Sequence, residues 1–304
     1  MADTESVDPL YADIDRWPTA DAVQAMIDGQ AAAIAALHSQ TQAIADAADA
    51  AADRMGDKGR LLYAGAGTSG RVAVQDGVEL GPTFGWPEAR LGYLMSGGMG
   101  ALAASVEGAE DDGAAARAEI AALGVGADDV LIGVAASGRT PYTIAAVEAA
   151  RKAGALTIAI ANNPDAPLLG AADHAILAQT GSEILAGSTR MKAGTAQKAV
   201  LNILSTAIML RLGRVYRGLM VDMVISNEKL GHRAARIVAQ LAGCSLEAAY
   251  AALDAADRNI KVATLIAMGA DKARAKALLA DHKGRLRGAV DALAAARHAA
   301  KDMT

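Results

Sequence analysis

The sequence predicts an α/β fold, a doubly wound parallel sheet with helices on both faces, followed by a small all-helical C-terminal domain. Three observations carry this. Five short apolar runs, Leu61–Ala64, Leu91–Leu94, Val130–Val134, Leu156–Ile160 and His174–Leu177, have strand length. Helical stretches separate most of them, and that alternation yields a parallel sheet covered on both sides. Past Val224 the composition shifts, and from Asn227 onward only short helices are expected, punctuated by Gly231, Gly243, Gly269 and Gly284. The expected organisation is N-terminal helices over 1–57 packing on a sheet domain over 58–225, then a helical domain over 226–304.

Each element has a local reason. Residues 1–57 read as helical after a short extended start, with Trp17-Pro18-Thr19 as a stop and Thr19 as a cap for the Ala-rich helix that follows. A second helix is expected from Gln40 to Met55. A long one spans about Thr189 to Leu212, where Met191, Ala193, Leu201, Ile203 and Leu204 can face the core. Ser245 is a plausible N-cap for the helix containing Ala248 and Tyr250. Met191, Met209, Met220 and Met223 fit core spacing, and the alanine content raises helix propensity throughout.

Composition excludes several classes of function. The chain has 304 residues, 53% hydrophobic and 21% charged, enough apolar surface for a sizeable core and too much for a disordered chain. With 29 basic against 34 acidic residues, the net charge of −5 argues against a nucleic-acid partner. Cys244 stands alone, so neither a disulfide framework nor a CxxC pair is possible. Five scattered histidines form no HExxH motif, so no metal and no cofactor are expected. The start Met1-Ala2-Asp3-Thr4-Glu5 lacks the basic and apolar regions of a signal peptide. The most apolar helix candidate, Leu201 to Met220, carries Arg211 and Arg214 and does not read as a membrane span. A cytoplasmic protein is the default.

Two loops indicate the ligand. Gly65-Ala66-Gly67-Thr68-Ser69-Gly70 follows a strand and opens a helix, a GxGxxG match that first suggests a dinucleotide. A dinucleotide site also wants a carboxylate at the end of the second strand to hold the ribose. That strand ends Leu94-Met95-Ser96-Gly97-Gly98, with none. A second strand, Val130–Val134, runs into Ala136-Ser137-Gly138-Arg139-Thr140-Pro141-Tyr142, again ahead of a helix. Gly67, Thr68, Ser69, Ser137, Gly138 and Thr140 thus present hydroxyls and free helix N-terminal amides, which suit a phosphate dianion. The bland alternative is that these side chains only cap helices.

The Gly65–Arg71 and Ala136–Tyr142 loops resemble those of sugar isomerase (SIS) domains, which makes 58–225 an SIS-type sugar-phosphate domain. Three further stretches narrow the match: Val106-Glu107-Gly108-Ala109-Glu110-Asp111-Asp112, Gly187-Ser188-Thr189-Arg190-Met191-Lys192-Ala193-Gly194-Thr195-Ala196-Gln197-Lys198, and Asn227-Glu228-Lys229-Leu230. In this order, and over nearly the whole chain from Thr4-Glu5, they resemble the N-acetylmuramic acid 6-phosphate etherase family. The resemblance implies cleavage of the D-lactyl ether at carbon 3, leaving N-acetylglucosamine 6-phosphate, in cell-wall sugar recycling. The family's chemistry is ring opening, elimination of lactate and addition of water to the unsaturated aldehyde. An alkoxide leaves badly, so general acid help of ~10²–10⁴-fold matters. The open-chain aldehyde delocalises the carbanion, so no metal is required in principle. The resemblance also implies a homodimer with sites completed across the interface, to which the N-terminal helices could contribute.

By motif the two catalytic carboxylates map onto Glu79, the proton donor, and Glu110, which handles the proton on carbon 2. The residues alone do not choose Glu110 over Glu107, Asp111 or Asp112. Glu79 has an independent claim, since burial among Val78, Leu80 and Gly81 could keep it protonated. One stretch departs from the family pattern, usually Asp-Ala-Ser-Glu-Cys-Pro-Pro-Thr: this chain has Gly77, Val78, Leu80 and Gly81 there and keeps Asp76, Glu79, Pro82 and Thr83. Glu183 is a candidate substrate contact, with a helix-terminal carboxylate as the alternative. Ser188, Thr189, Arg190 and Lys192 open the long helix and either complete the anion pocket, the reading preferred for Ser188 and Thr189, or only start the helix and pair on its surface. Arg71 and Arg139 could add positive field, with a solvated arginine as the alternative. His232 reads as a packing or surface residue.

Two rival functions use the same loops. One is a non-catalytic sugar-phosphate sensor such as the glucokinase regulatory proteins, which share the ancestry but carry two SIS domains. The other is an aldose–ketose phosphate isomerase, which needs a base at carbon 2 but no acid aimed at an ether oxygen.

Overall fold

The computed structural model describes residues 3–104 and 106–302, so Met1 and Ala2 of the acidic start lie outside the described residues. The chain divides into two compact units, one of Met1–Val78 with Glu88–Ile208, the other of Glu79–Pro87 with Met209–Thr304.

The first unit holds a five-stranded parallel sheet in the order β2-β1-β3-β4-β5, with β1 Leu61–Gly65, β2 Leu91–Met95, β3 Val130–Ala135, β4 Leu156–Ala161 and β5 His174–Leu177. All five expected strands are present. β1, β3 and β4 are buried along their whole length, as continuous apolar strands covered on both faces must be. The outer strands β2 and β5 are only partly buried.

Strand parity sorts the two faces. Leu62, Ala64, Leu131 and Ala159 pack with Ala116 and Ile120 of α4 (Gly113–Ala122) and with Tyr142, Ala146 and Ala150 of α5 (Pro141–Lys152). α2 (Thr41–Met55), which contacts β3, β4 and β5, buries Ile44, Ala47, Ala48, Ala51 and Met55. α7 (Lys192–Arg211) is tied to α3 (Gly67–Phe84), whose residues 79–84 group with the second unit. The tie is Asp76, which accepts from Asn202 Nδ2 at 2.7 Å and Ser205 Oγ at 3.1 Å.

Some local expectations are corrected. The N-terminal start is not extended: Asp3–Glu5, Pro9–Tyr11 and Ile14–Arg16 form three 3₁₀ turns. Thr19 is the first residue of α1 (Thr19–Ala35), with Pro18 at the cap position and no side-chain capping bond. The long helix starts at Lys192 because the backbone from Gly187 to Met191 closes tight turns, Thr189 N to Gly187 O at 2.9 Å and Met191 N to Ser188 O at 3.1 Å. Along it Ala193, Leu201 and Leu204 are buried as expected, but Ile203 is 49% exposed.

The second unit contains α8 (Glu228–Ala242), α9 (Leu246–Ala255), α10 (Ile260–Ala267), α11 (Lys272–Asp281) and α12 (Leu286–Asp302). Asn227, Ser245, Asn259 and Asp271 each cap the helix they precede, the expected Ser245 cap among them. The helices are not all short, since α8 has 15 residues and α12 has 17. A small hairpin was not anticipated: Val215–Tyr216 pairs with Leu219–Met220 around Arg217 and Gly218, both at positive φ as a tight two-residue turn requires. Val221, Met223, Ile237, Val238, Leu253 and Leu265 lie in its core. Beside that core, Lys261 is paired with Asp222 and donates to Gly284 O at 2.8 Å.

Candidate active site

The strand order reverses between β1 and β3, and in open α/β sheets the crevice at the carboxyl ends of such a pair is where ligands bind. Both hydroxyl-rich loops leave the sheet there. In the first, Gly65 and Gly70 are pressed together: a Cβ on Gly70 would lie 2.7 Å from Gly65 O and 2.5 Å from Met95 Sδ. Gly67 opens α3 at φ +53°. The outer glycines let the strand turn into the helix without a gap, so Thr68 and Ser69 fall on its first turn.

The second loop has the same logic. Gly138 sits at φ +63°, and a Cβ there would fall 2.2 Å from Ala166 Cβ. Ser137 Oγ accepts from Arg139 N at 3.2 Å. Thr140 occupies the cap position of α5 yet makes no side-chain capping bond. The capping alternative therefore fails at Thr140, whose hydroxyl is left for another partner.

These loops line a pocket of about 390 Å³. Thr68, Ser69, Ser137 and Thr140 give it hydroxyls, and Thr189 joins them from the turn before α7. Glu110, Asp111 and Glu5 supply carboxylates, and Arg139 is the cation among the described lining residues. Glu110, on the short 3₁₀ turn Ala109–Asp111, also lines an adjoining hollow of about 370 Å³ with Ser96 and Glu107. The pocket thus combines amides and hydroxyls at two helix N-termini, suited to a phosphate, with carboxylates suited to a proton acceptor and to donors on a sugar.

Known proteins resemble this chain at the level of domain and family. The glucokinase regulatory protein N-terminal SIS domain model matches residues 43–151, and the SIS domain model matches 111–207. Among solved structures, a phosphoheptose isomerase from Francisella tularensis aligns with a TM-score of 0.46 at 20% identity, over 64% of this chain and 98% of that one. Curated relatives are much nearer. The N-acetylmuramic acid 6-phosphate etherase of Deinococcus radiodurans is 48% identical over 89% of this chain and 90% of its own length. That of Streptomyces avermitilis is 48% identical over 95% and 93%, and that of Salmonella typhimurium 43% over 95% and 97%. The chain belongs to the N-acetylmuramic acid 6-phosphate etherase family. It is an enzyme of the carbon–oxygen lyase class.

The etherase candidates fall into different surroundings. Glu110 is in the pocket, as are Asp111 and Arg139, while Glu107 lines only the adjoining hollow and Asp112 instead caps α4 by accepting from Ala115 N at 2.9 Å. Glu79 is an exposed residue of α3 in the single chain, so the burial expected from its apolar neighbours does not occur: Leu80 turns inward and Val78 is itself 55% exposed. Glu183 is 1% exposed, and its carboxylate accepts from Lys192 N at 3.0 Å and Ala193 N at 2.9 Å. These two bonds are those of the helix-terminal alternative. Ser188 is half-buried in the turn that carries Thr189. Arg71 lines the adjoining hollow, where Nε and Nη2 donate to Ala101 O at 3.1 and 2.9 Å and fix the guanidinium in place with its charge intact.

Buried polar groups also brace the elements that carry the pocket. Beneath α3, Tyr63 donates to Asp76 Oδ2 at 2.8 Å, and burial together with the Asp76 charge pushes the phenol well above its ordinary range. Asn163, just past β4, donates to Ala136 O at 2.8 Å and so braces the second loop. The polar pair Asn162-Asn163 at a strand's carboxyl end was the available signal. Nothing in the composition singled out Glu5. Among the described residues, no group of three His, Cys, Asp or Glu could hold a metal ion, and no helix is long and apolar enough to cross a membrane.

Proposed function

We propose that this chain cleaves the D-lactyl ether of N-acetylmuramic acid 6-phosphate, giving N-acetylglucosamine 6-phosphate and D-lactate in cell-wall sugar recycling. The observation that carries this reading is Glu110 in the same pocket as the two hydroxyl loops. With the phosphate at the N-termini of α3 and α5, the opened sugar extends toward the carboxylates. Glu110 takes the proton from carbon 2, the electron pair forms the carbon 2–carbon 3 double bond, and the carbon 3–oxygen bond breaks. Glu79 protonates the departing lactate oxygen, and water then adds at carbon 3. The assignment of Glu79 rests on the family motif.

A homodimer with sites completed by the second copy belongs to this reading. It is supported by the exposure of Glu79 in the single chain and by the stripe of Val23, Ile27 and Ile34 on α1, 47%, 56% and 43% exposed. Sedimentation at assay concentration checks it. The lone Cys244 is in keeping with a reducing cytoplasm as the compartment.

The test is lactate release from purified protein given N-acetylmuramic acid 6-phosphate, with the unphosphorylated sugar beside it. Release from the phosphorylated sugar alone is expected. Glu110→Gln and Glu79→Gln should each lower it by ~10²-fold or more. No release, with tight sugar-phosphate binding, would favour a sensor; near-normal release by Glu79→Gln would remove that residue's assigned role.

A further inference from the structure

Glu5 lies far from the loops in sequence, yet it lines the pocket. The residue before it explains why. Thr4 is fully buried, its N–H donates to Asn163 Oδ1 at 3.3 Å, and its Oγ1 accepts from Asn163 Nδ2 at 3.1 Å. Its carbonyl accepts from Gly187 N at 3.0 Å. Asn163 is the same residue that braces the second phosphate loop at Ala136 O. The N-terminal turn is therefore clamped to the loops it faces.

Gly187 completes the clamp. It sits at φ +75°, and a Cβ on it would lie 2.9 Å from Glu5 Oε2. The missing side chain leaves room for the carboxylate at the pocket wall.

From this geometry we propose that Glu5 is a substrate-recognition residue, accepting hydrogen bonds from donors of the sugar, its hydroxyls or its N-acyl N–H. Charge decides between the ends of the ligand. A carboxylate repels the phosphate dianion, which the hydroxyls and amides of the two loops already suit. It bonds well to O–H and N–H donors, and charge-assisted bonds of this kind are the strong ones. Glu5 thus fixes which way round the sugar lies, with the phosphate away from it and its donors toward it. This inference rests on the reading of the pocket as a phosphosugar site, not on the lyase chemistry.

The experiment measures the affinity of N-acetylglucosamine 6-phosphate and of inorganic phosphate by calorimetry, with KM and kcat for lactate release, in wild type, Glu5→Ala and Glu5→Gln. Glu5→Ala should raise the sugar-phosphate Kd and KM roughly tenfold or more, the loss of one hydrogen bond to a charged group. Inorganic phosphate should bind as in wild type or more tightly, and kcat should change less than KM. Glu5→Gln keeps an acceptor oxygen and should recover part of the loss. Unchanged Kd and KM in Glu5→Ala would overturn the proposal. So would an equal loss of phosphate affinity, which would mean the turn is only a wall. A wild type that binds N-acetylglucosamine 6-phosphate in a Glu5-dependent way but releases no lactate would sink the etherase reading and leave this one standing.

Discussion

Gly77 lies on the face of α3 that meets β1 and β2, where a Cβ would fall 2.6 Å from Tyr93 Cε1 and 2.8 Å from Tyr63 Cε2. The two rings stack at 6.1 Å with an interplanar angle of 20°, and Tyr63 is anchored to Asp76. The departure from the family's Ala at this position therefore has a physical cause: two tyrosines fill the volume its methyl group would need. A glycine inside a helix normally costs about 1 kcal/mol against alanine. Here overpacking of about 1–3 kcal/mol opposes that gain. Gly77→Ala should therefore lower Tm by about 2–4 °C per kcal/mol lost, and calorimetric melting checks it. Combined with Tyr93→Ala the losses should be less than additive, because the second change removes the atom that is struck.

At the scale of the element, α7 shows how a helix end is built into a site. Its first two amides are satisfied by Glu183, a buried carboxylate nine residues before Lys192 in the chain. The intervening turns carry Ser188 and Thr189, and Thr189 reaches the pocket. Gly194, in the first turn of α7, lets the helix approach Thr68: a Cβ there would be 3.2 Å from Thr68 Cγ2. Glu183→Ala should cost about 1–2 kcal/mol of stability as a lost cap. Because it loosens the Thr189 turn, KM for the phosphosugar should rise while kcat falls less, which steady-state lactate assays read directly. Sequence reading saw the elements around this helix well, since five strands and two glycine loops announce themselves by apolar runs and punctuation. It missed the N-terminal 3₁₀ turns, the first of which is held at Thr4 by Asn163, 159 residues away.

At the scale of the whole first unit, the base of the sheet is locked by one ion pair. Asp129 accepts from Arg60 Nη2 at 2.6 Å and Nε at 3.0 Å, and from the backbone N–H of Arg60 and of Gly126 at 3.0 Å each. Arg60 in turn donates to Leu123 O and Gly124 O, joining β1, β3 and the end of α4. Burial raises the Asp129 carboxyl, but the Arg60 bond and the two N–H donors outweigh it and hold the group below the usual carboxylate range. Folding thus favours the ionised form. The stabilisation is complete above the unfolded value of about 3.9 and is lost as pH falls through the lower folded one. Asp129→Asn should cost about 2 kcal/mol at neutral pH. It should also flatten the acid limb of a Tm–pH profile below about pH 4, where wild type is steepest.

The sequence by itself determined the strands, the α/β class, the family and the two loops that suit a phosphate. All of these are local, written in apolar runs, in glycines where backbone must meet backbone, and in hydroxyls beside helix starts. Only the tertiary structure decided which carboxylates share the pocket. Glu110 and Asp111 were inseparable from Glu107 and Asp112 in a charge run, until a 3₁₀ turn placed two of them on the pocket lining and a helix start took Asp112 as its cap. Glu183, open in the sequence between a ligand contact and a helix-terminal carboxylate, accepts from the first two amides of α7, and Glu5, far from the loops along the chain, lines the pocket. A carboxylate's role is set by the donors it meets, and those come from parts of the chain that no local pattern connects.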